Sequence, residues 1–300
     1  MYTKMLIPLD SSKTAEQVLP FARILAAKLK LPVELLDVID IAAMSAYIAS
    51  DKARYLDTFI AEGERVSREY LDEIAAGLAG VKVSCSVIRG KPADAIIEHA
   101  GAEKGTLIAM ATHGRSGLDR WMLGSVAEKV LRGSHNPLFL VRVHAEGVTD
   151  GAAMIKSVVV PLDGSELAES VLPTAMEFAK ALDLEVVLCR AYELAASAYQ
   201  GNEDYLPNYD EMLRQVKAEA ESYLAEKAAA LNAAGLSRVS VVALAGSGAE
   251  EIVRYAQTHR DALVVMCTHG RSGISRWVLG SVTERVVRHS DVPVLVLHGS

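Results

Sequence analysis

The side chains best suited to chemistry lie in two copies of one string. Thr112-His113-Gly114-Arg115-Ser116-Gly117 recurs as Thr268-His269-Gly270-Arg271-Ser272-Gly273, 156 residues later in a chain of 300. Over 112–125 and 268–281, eleven of fourteen positions are identical, and only 118/274, 119/275 and 122/278 differ. The chain is a duplication whose best-kept part is a glycine-bearing turn. Gly114 and Gly270 lack a Cβ, so the main chain can approach an anion. Gly124-Ser125 and Gly280-Ser281 then open helix-like runs, whose first amides have no intrahelical acceptor and can point at phosphate oxygens.

Each residue here has a plainer reading. Ser125 and Ser281 could donate to a phosphate or simply cap their helices. Arg115 and Arg271 could fork onto phosphate oxygens or be solvated loop residues. His113 and His269 have no nucleophile or acid beside them, so a turn-shaping role is assigned rather than catalysis. Trp121 and Trp277 read as packing anchors rather than as platforms for stacking a base. Cys267 reads as a redox-sensitive thiol or, more simply, a small buried residue.

These turns need a scaffold, and it too reads twice. Aliphatic runs at 4–9 and 156–162 end in Pro8-Leu9-Asp10 and Pro161-Leu162-Asp163. Proline suits the end of a strand because it has no ladder donor. Helical periodicity predicts helices over 15–29 and 168–182, and second strands over 33–39 and 185–191. Irregular segments (41–56 and 192–209) precede long helices over 57–79 and 210–233. The second unit is three residues longer between its second strand and Gly246. Gly201-Asn202 and Pro207-Asn208 place the extra residues in its irregular loop. Third strands (82–88, 238–244), helices from 93 and 249, fourth strands (106–111, 262–267), fourth helices and last strands (138–143, 293–297) complete each unit.

Strand–helix alternation predicts two tandem, doubly wound, five-stranded parallel sheets with helices on both faces. Units are expected at 1–146 and 154–300, joined by 147–153. Ligands of such sheets lie beyond the carboxyl ends of strands where strand order reverses. Asp10 and Asp163 stand there, as ribose-hydroxyl acceptors or as caps of the next helix.

Apolar residues make up 51% of the chain and aromatics 5%, which suits aliphatic cores of buried parallel strands. A net charge of −7 argues against a nucleic-acid footprint or an anionic membrane surface. Three cysteines without CxxC spacing give no disulfide framework or zinc knuckle. No apolar run reaches the ~20 residues of a membrane span. The expectation is a soluble, cytoplasmic protein.

With these motifs in view the chain resembles the universal stress protein family in its tandem form, and specifically the ATP-binding branch. That branch carries Gly-x-x-Gly, nine residues, then Gly-Ser or Gly-Thr; here the copies run Ala111-Thr-His-Gly114 to Gly124-Ser125 and Cys267-Thr-His-Gly270 to Gly280-Ser281. Pro-x-Asp and the Gly90-Lys91-Pro92 turn extend the resemblance. Ala111 and Cys267 depart from it by replacing the first motif glycine, and Gly248 stands where the first unit has Pro92.

The resemblance implies a Rossmann-like, adenine nucleotide α-hydrolase-like fold, with ATP or a related adenine nucleotide, accompanied by Mg²⁺, as cofactor. It sets the adenosine against Pro8, Asp10, Val38 and Met110, and the phosphates against Gly114, Arg115, Gly124, Ser125 and Val126, past Ala111. The second set is Pro161, Asp163, Ala191, Met266, Gly270, Arg271, Gly280, Ser281 and Val282, past Cys267. The first crevice, with Pro92 and the smaller Ala111, is expected to bind more tightly.

The implied role is a stress-response sensor or switch. No Gly-Lys-Ser/Thr loop or water-activating carboxylate is visible, so at most slow hydrolysis or autophosphorylation is expected. A nucleotide-independent scaffold of the same fold is the alternative. A PP-loop enzyme is disfavoured, because its Ser-Gly-Gly loop after the first strand is missing. Duplication further implies a pseudo-twofold pair of units, and the family resemblance makes their last strands the candidates for that contact, with a homodimer left open.

Overall fold

In a computed structural model, residues 2–46, 56–112, 123–143, 153–194, 209–268 and 279–298 are described. Two compact units divide the chain, Met1–Met154 and Ile155–Ser300. The first unit runs β1 (Lys4–Pro8), a 3₁₀ turn (Ala15–Val18), α1 (Leu19–Leu29), β2 (Val33–Ile39), α2 (Ile41–Ala46), α3 (Leu56–Ala76), β3 (Val83–Arg89), α4 (Pro92–Gly101), β4 (Thr106–Ala111), α5 (Ser125–Gly133) and β5 (Leu138–Val141). The second runs β6 (Ser157–Pro161), α6 (Glu166–Glu169), α7 (Leu172–Leu182), β7 (Glu185–Tyr192), α8 (Tyr209–Ala233), β8 (Val239–Ala245), α9 (Gly248–Thr258), β9 (Ala262–Cys267), α10 (Ser281–His289) and β10 (Val294–Leu297).

In the first unit the strands lie in the order β3-β2-β1-β4-β5 and pair in parallel. The second repeats this as β8-β7-β6-β9-β10. Every residue of β4 and of β9 is buried, whereas β3 and β8 have no buried residue. Central parallel strands covered on both faces must be continuously apolar, which is why Leu-Ile-Ala-Met and Leu-Val-Val-Met occupy them. Strand order reverses between β1 and β4, and between β6 and β9. The two crevices therefore open where Pro8–Asp10 faces Ala111-Thr112, and where Pro161–Asp163 faces Cys267-Thr268.

Three expectations are corrected. Neither 15–29 nor 168–182 is one helix. Each is a short turn followed by a helix with proline at its start, Pro20 in α1 and Pro173 in α7. A proline lacks the amide an interior position would use and its ring crowds the carbonyl four residues back, so helix restarts there. The segment after β2 is not wholly irregular, because Ile41–Ala46 is helical. The Asp40 carboxylate starts it by accepting from the Ala43 amide at 2.9 Å.

The three extra residues of the second unit do not sit in its loop. Tyr70 Oη donates to Glu16 at 3.3 Å and Tyr223 Oη donates to Glu169 at 2.7 Å, each pair being 54 residues apart. Up to that tyrosine the units match residue for residue. Beyond it α8, with 25 residues against 21 in α3, carries the added length. The added length falls at the end of α8 that leads to the edge strand β8.

Candidate functional site

The carboxyl end of β1 turns sharply. Ser11 takes a left-handed φ of 62° and its counterpart Gly164 one of 86°. That turn folds the Asp10 carboxylate back, so that Oδ1 accepts from the Ser12 amide (3.1 Å) and hydroxyl (2.5 Å). Ser12 Oγ in turn accepts from the Ala15 amide at 3.1 Å. Asp163, Ser165 and Ala168 repeat this at 2.9, 2.6 and 3.1 Å. The serine is thus the cap, and the aspartate is the residue that holds the capping serine in place.

Across the crevice, β4 ends at Ala111 and the chain returns at Gly124. The Gly124 amide donates to the Thr112 carbonyl at 2.7 Å, and the Gly280 amide to that of Thr268 at 2.7 Å. This corrects the assignment of phosphate-facing amides, since those of Gly124 and Gly280 are already used. The helix caps are these glycines, with φ/ψ of −59°/145° and −61°/141°, and Ser125 and Ser281 are first helical residues rather than caps. A glycine cap brings no side-chain oxygen to the first turn. The amides of Ser125, Val126 and Ala127 precede the first intrahelical bond, from Glu128 to the Gly124 carbonyl at 2.8 Å. Gly114, Arg115, Gly270 and Arg271 lie outside the described residues, as do His113, His269, Trp121 and Trp277.

Between these walls lies a cavity of about 600 Å³. It is lined by Pro8, Asp10, Val38, Met110, Ala111, Gly124, Ser125 and Val126, which brings together every described residue expected for the first site. Leu36, Ile39, Pro92 and Ile96 supply apolar wall, and Ala43 and Met44 of α2 reach it from the far side. The volume falls in the usual range for a small-molecule site, roughly 300–1,000 Å³. Ala111, where a glycine was looked for, is buried in the wall and leaves the cavity open. Among the described residues no group of three or more His, Cys, Asp or Glu side chains could hold a metal ion. No described helix is long and apolar enough to cross a membrane.

In the second unit Pro161, Asp163, Ala191, Met266, Cys267, Gly280, Ser281 and Val282 occupy the matching strand ends and first helical turn. Their surroundings differ. Thr283 stands where the first unit has Ala127, and its hydroxyl donates to the Cys267 carbonyl at 2.8 Å. By strand register Arg190 stands where the first unit has Asp37, and its guanidinium lies 4.7 Å from the Tyr223 ring centroid. Cys267 is buried.

The profile of the universal stress protein family matches residues 1–142 and again 154–298. The chain belongs to the universal stress protein family. A universal stress protein of Methanocaldococcus jannaschii is 30% identical over 142 residues, covering 47% of this chain and 83% of the relative. One of Mycobacterium tuberculosis is 27% identical over 221 residues, covering 73% of this chain and 70% of the relative. The crystal structure of a universal stress protein from Archaeoglobus fulgidus shares the fold, with a TM-score of 0.71, 24% identity and 98% of each chain covered.

Sequence reasoning about this universal stress protein missed several residues that line its first crevice: Asp37, Asp40, Ala43, Met44, Gly63 and Ser67. Asp37 is buried within β2, and Gly63 and Ser67 belong to the facing helix α3. A signal was present. Setting the two units against each other exposes Asp37/Arg190 and Ala127/Thr283 among the positions where the matched crevices diverge, beside Pro92/Gly248 and Ala111/Cys267.

Proposed function

We propose that the first unit binds ATP or a related adenine nucleotide, and that the chain acts as a stress-responsive sensor or switch with at most slow hydrolysis. The observation carrying this is one cavity that joins an apolar slot to a glycine-capped helix start. The base lies between Pro8, Val38 and Met110, with the Val38 main chain reading its edge. Asp10, Asp37 and Asp40 suit the ribose hydroxyls and exocyclic amine, which donate. The tail runs to the Ser125, Val126 and Ala127 amides, at the positive end of α5. Gly114 and Arg115 join them by family resemblance. Mg²⁺ would travel on the phosphates and its own waters, as this ion commonly does.

Melting the purified chain with and without ATP tests the reading. A ligand held only by the native state at about 100 times its Kd stabilises by about 2.7 kcal/mol. An unchanged melt at millimolar ATP would favour the nucleotide-independent scaffold.

The two crevices are not equivalent. Thr283 replaces Ala127 with a larger side chain tied to the Cys267 carbonyl, and Gly248 replaces the rigid Pro92. Calorimetric titration should therefore count one tight site per chain, with the second weaker by about tenfold or more. Two equal sites would contradict the assigned asymmetry.

A further inference from the structure

A smaller cavity of about 320 Å³ adjoins the first and shares Asp40, Ala43, Pro92, Ser125 and Val126 with it. Its remaining lining is Ala42, Lys91, Ala93, Asp94 and Lys129. Two helices start here. Lys91 caps α4, whose first residue is Pro92, and α5 begins at Ser125. Lys129 sits one turn beyond Ser125, on the same face of α5. Among the described residues neither lysine forms an ion pair. The two carboxylates on this wall are otherwise placed. Asp40 caps α2, and Asp94 lies in the first turn of α4, where the helix dipole favours a negative charge.

The second unit has lost this arrangement. Ser247 takes the place of Lys91 as the cap of α9. Arg285 takes the place of Lys129 but is bound to Glu250 at 3.0 Å. Everything that defines the fold is repeated between the units, and this pair of uncommitted cations is not.

We propose that Lys91 and Lys129 determine the length of anionic tail accepted by the first unit, selecting a nucleoside polyphosphate over the monophosphate. The inference rests on the nucleotide-binding reading above. The α5 amides hold the phosphate nearest the ribose, and each further phosphate extends into the smaller cavity toward the lysines. Their attraction falls with distance and is screened by solvent, so the distal phosphates gain most from the lysines and the first phosphate gains little.

The test is calorimetric titration of the full chain with ATP and with AMP, reading the tighter site, for the natural protein and for K91Q/K129Q. Two exposed charge contacts together are worth about tenfold in affinity. ATP binding should weaken by about that factor in the double variant, with AMP binding changed less than about twofold. K91R/K129R, which keeps both charges, should retain the preference for ATP. The natural protein's preference should also shrink as salt is raised. An unchanged ATP-to-AMP ratio in K91Q/K129Q, or equal losses for both ligands, would overturn the inference while leaving nucleotide binding intact. No binding of either nucleotide to the natural protein would instead overturn the functional reading itself.

Discussion

Gly124→Asp is expected to lower the first unit's affinity for ATP by about 100-fold or more, without lowering its melting temperature. Gly124 holds the extended backbone that suits a helix cap, and aspartate is a better cap than glycine. The new carboxylate would accept from the Val126 and Ala127 amides, the donors assigned to the phosphates. It would also set a negative charge within a few ångströms of the tail, a repulsion on the order of a few kcal/mol at the effective dielectric near a protein surface. Stability and binding then move independently, which general damage to the fold would not produce. Calorimetric titration alongside a thermal melt reads both quantities. ATP affinity within a few-fold of the natural protein would mean that the first turn of α5 does not hold the ligand.

Acid is expected to unfold the first unit before the second. Glu34 on β2 has a side chain only 12% exposed, and it accepts from Lys4 (2.7 Å) and Ser86 (2.7 Å) while pairing with His99 (2.8 Å). Burial alone would raise its pKa, but hydrogen bonds from Lys4, Ser86 and His99 outweigh burial and bring it down to about 2. The folded value lies below the ordinary 4.5, so this stabilisation is whole above about pH 4.5 and is lost as the pH falls toward 2. Solvent screening at the open side of the cluster discounts this to a contribution on the order of 1–3 kcal/mol.

The second unit has Ser157, Val187, Val242 and Tyr255 at the four matching places. There a Lys156 hydrogen bond holds Asp261 below the usual carboxylate range, and Lys227 with Tyr223 outweighs burial to do the same for Glu169. Both of those side chains are more exposed, at 41% and 25%. Scanning calorimetry from pH 7 to 3 should show the first unit's transition moving down ahead of the second. Glu34→Gln should lower that transition at pH 7 by roughly 5 °C or more and remove most of its extra acid sensitivity. Parallel movement of both transitions, or a Gln variant as stable as the natural chain, would show that this cluster does not hold the first unit together.

Much of the scaffold was legible because each central strand is an aliphatic run bounded by proline, glycine or aspartate. β2 (Val33–Ile39), β4 (Thr106–Ala111) and β9 (Ala262–Cys267) fall where the pattern places them. Buried parallel strands have no freedom to be polar, so their limits are written in composition. Helix interiors are less constrained by period alone. The stripe of Val18, Phe21, Ala22 and Leu25 runs on through Pro20, although the backbone cannot.

At the site, type and spacing located the crevice but left the division of labour unread. Asp10 beside Ser11-Ser12 admits either residue as cap, and only the left-handed turn at Ser11 decides it. Gly124 looked like a phosphate donor until its amide was found on the Thr112 carbonyl. Lys91 and Lys129 carry no pattern, because a solvated lysine is ordinary until two helix starts bring a pair of them to one cavity. The tyrosines that locate the insertion were equally hidden, since Tyr70 and Tyr223 gain meaning only by reaching Glu16 and Glu169.

The most direct measurement is a crystal structure of the full chain grown with millimolar ATP and Mg²⁺. The account requires the base between Pro8, Val38 and Met110, phosphate oxygens on the amides of Ser125, Val126 and Ala127, and the end of the tail beside Lys91 and Lys129. Nucleotide bound elsewhere, or a crevice holding only water at saturating ATP, would contradict it.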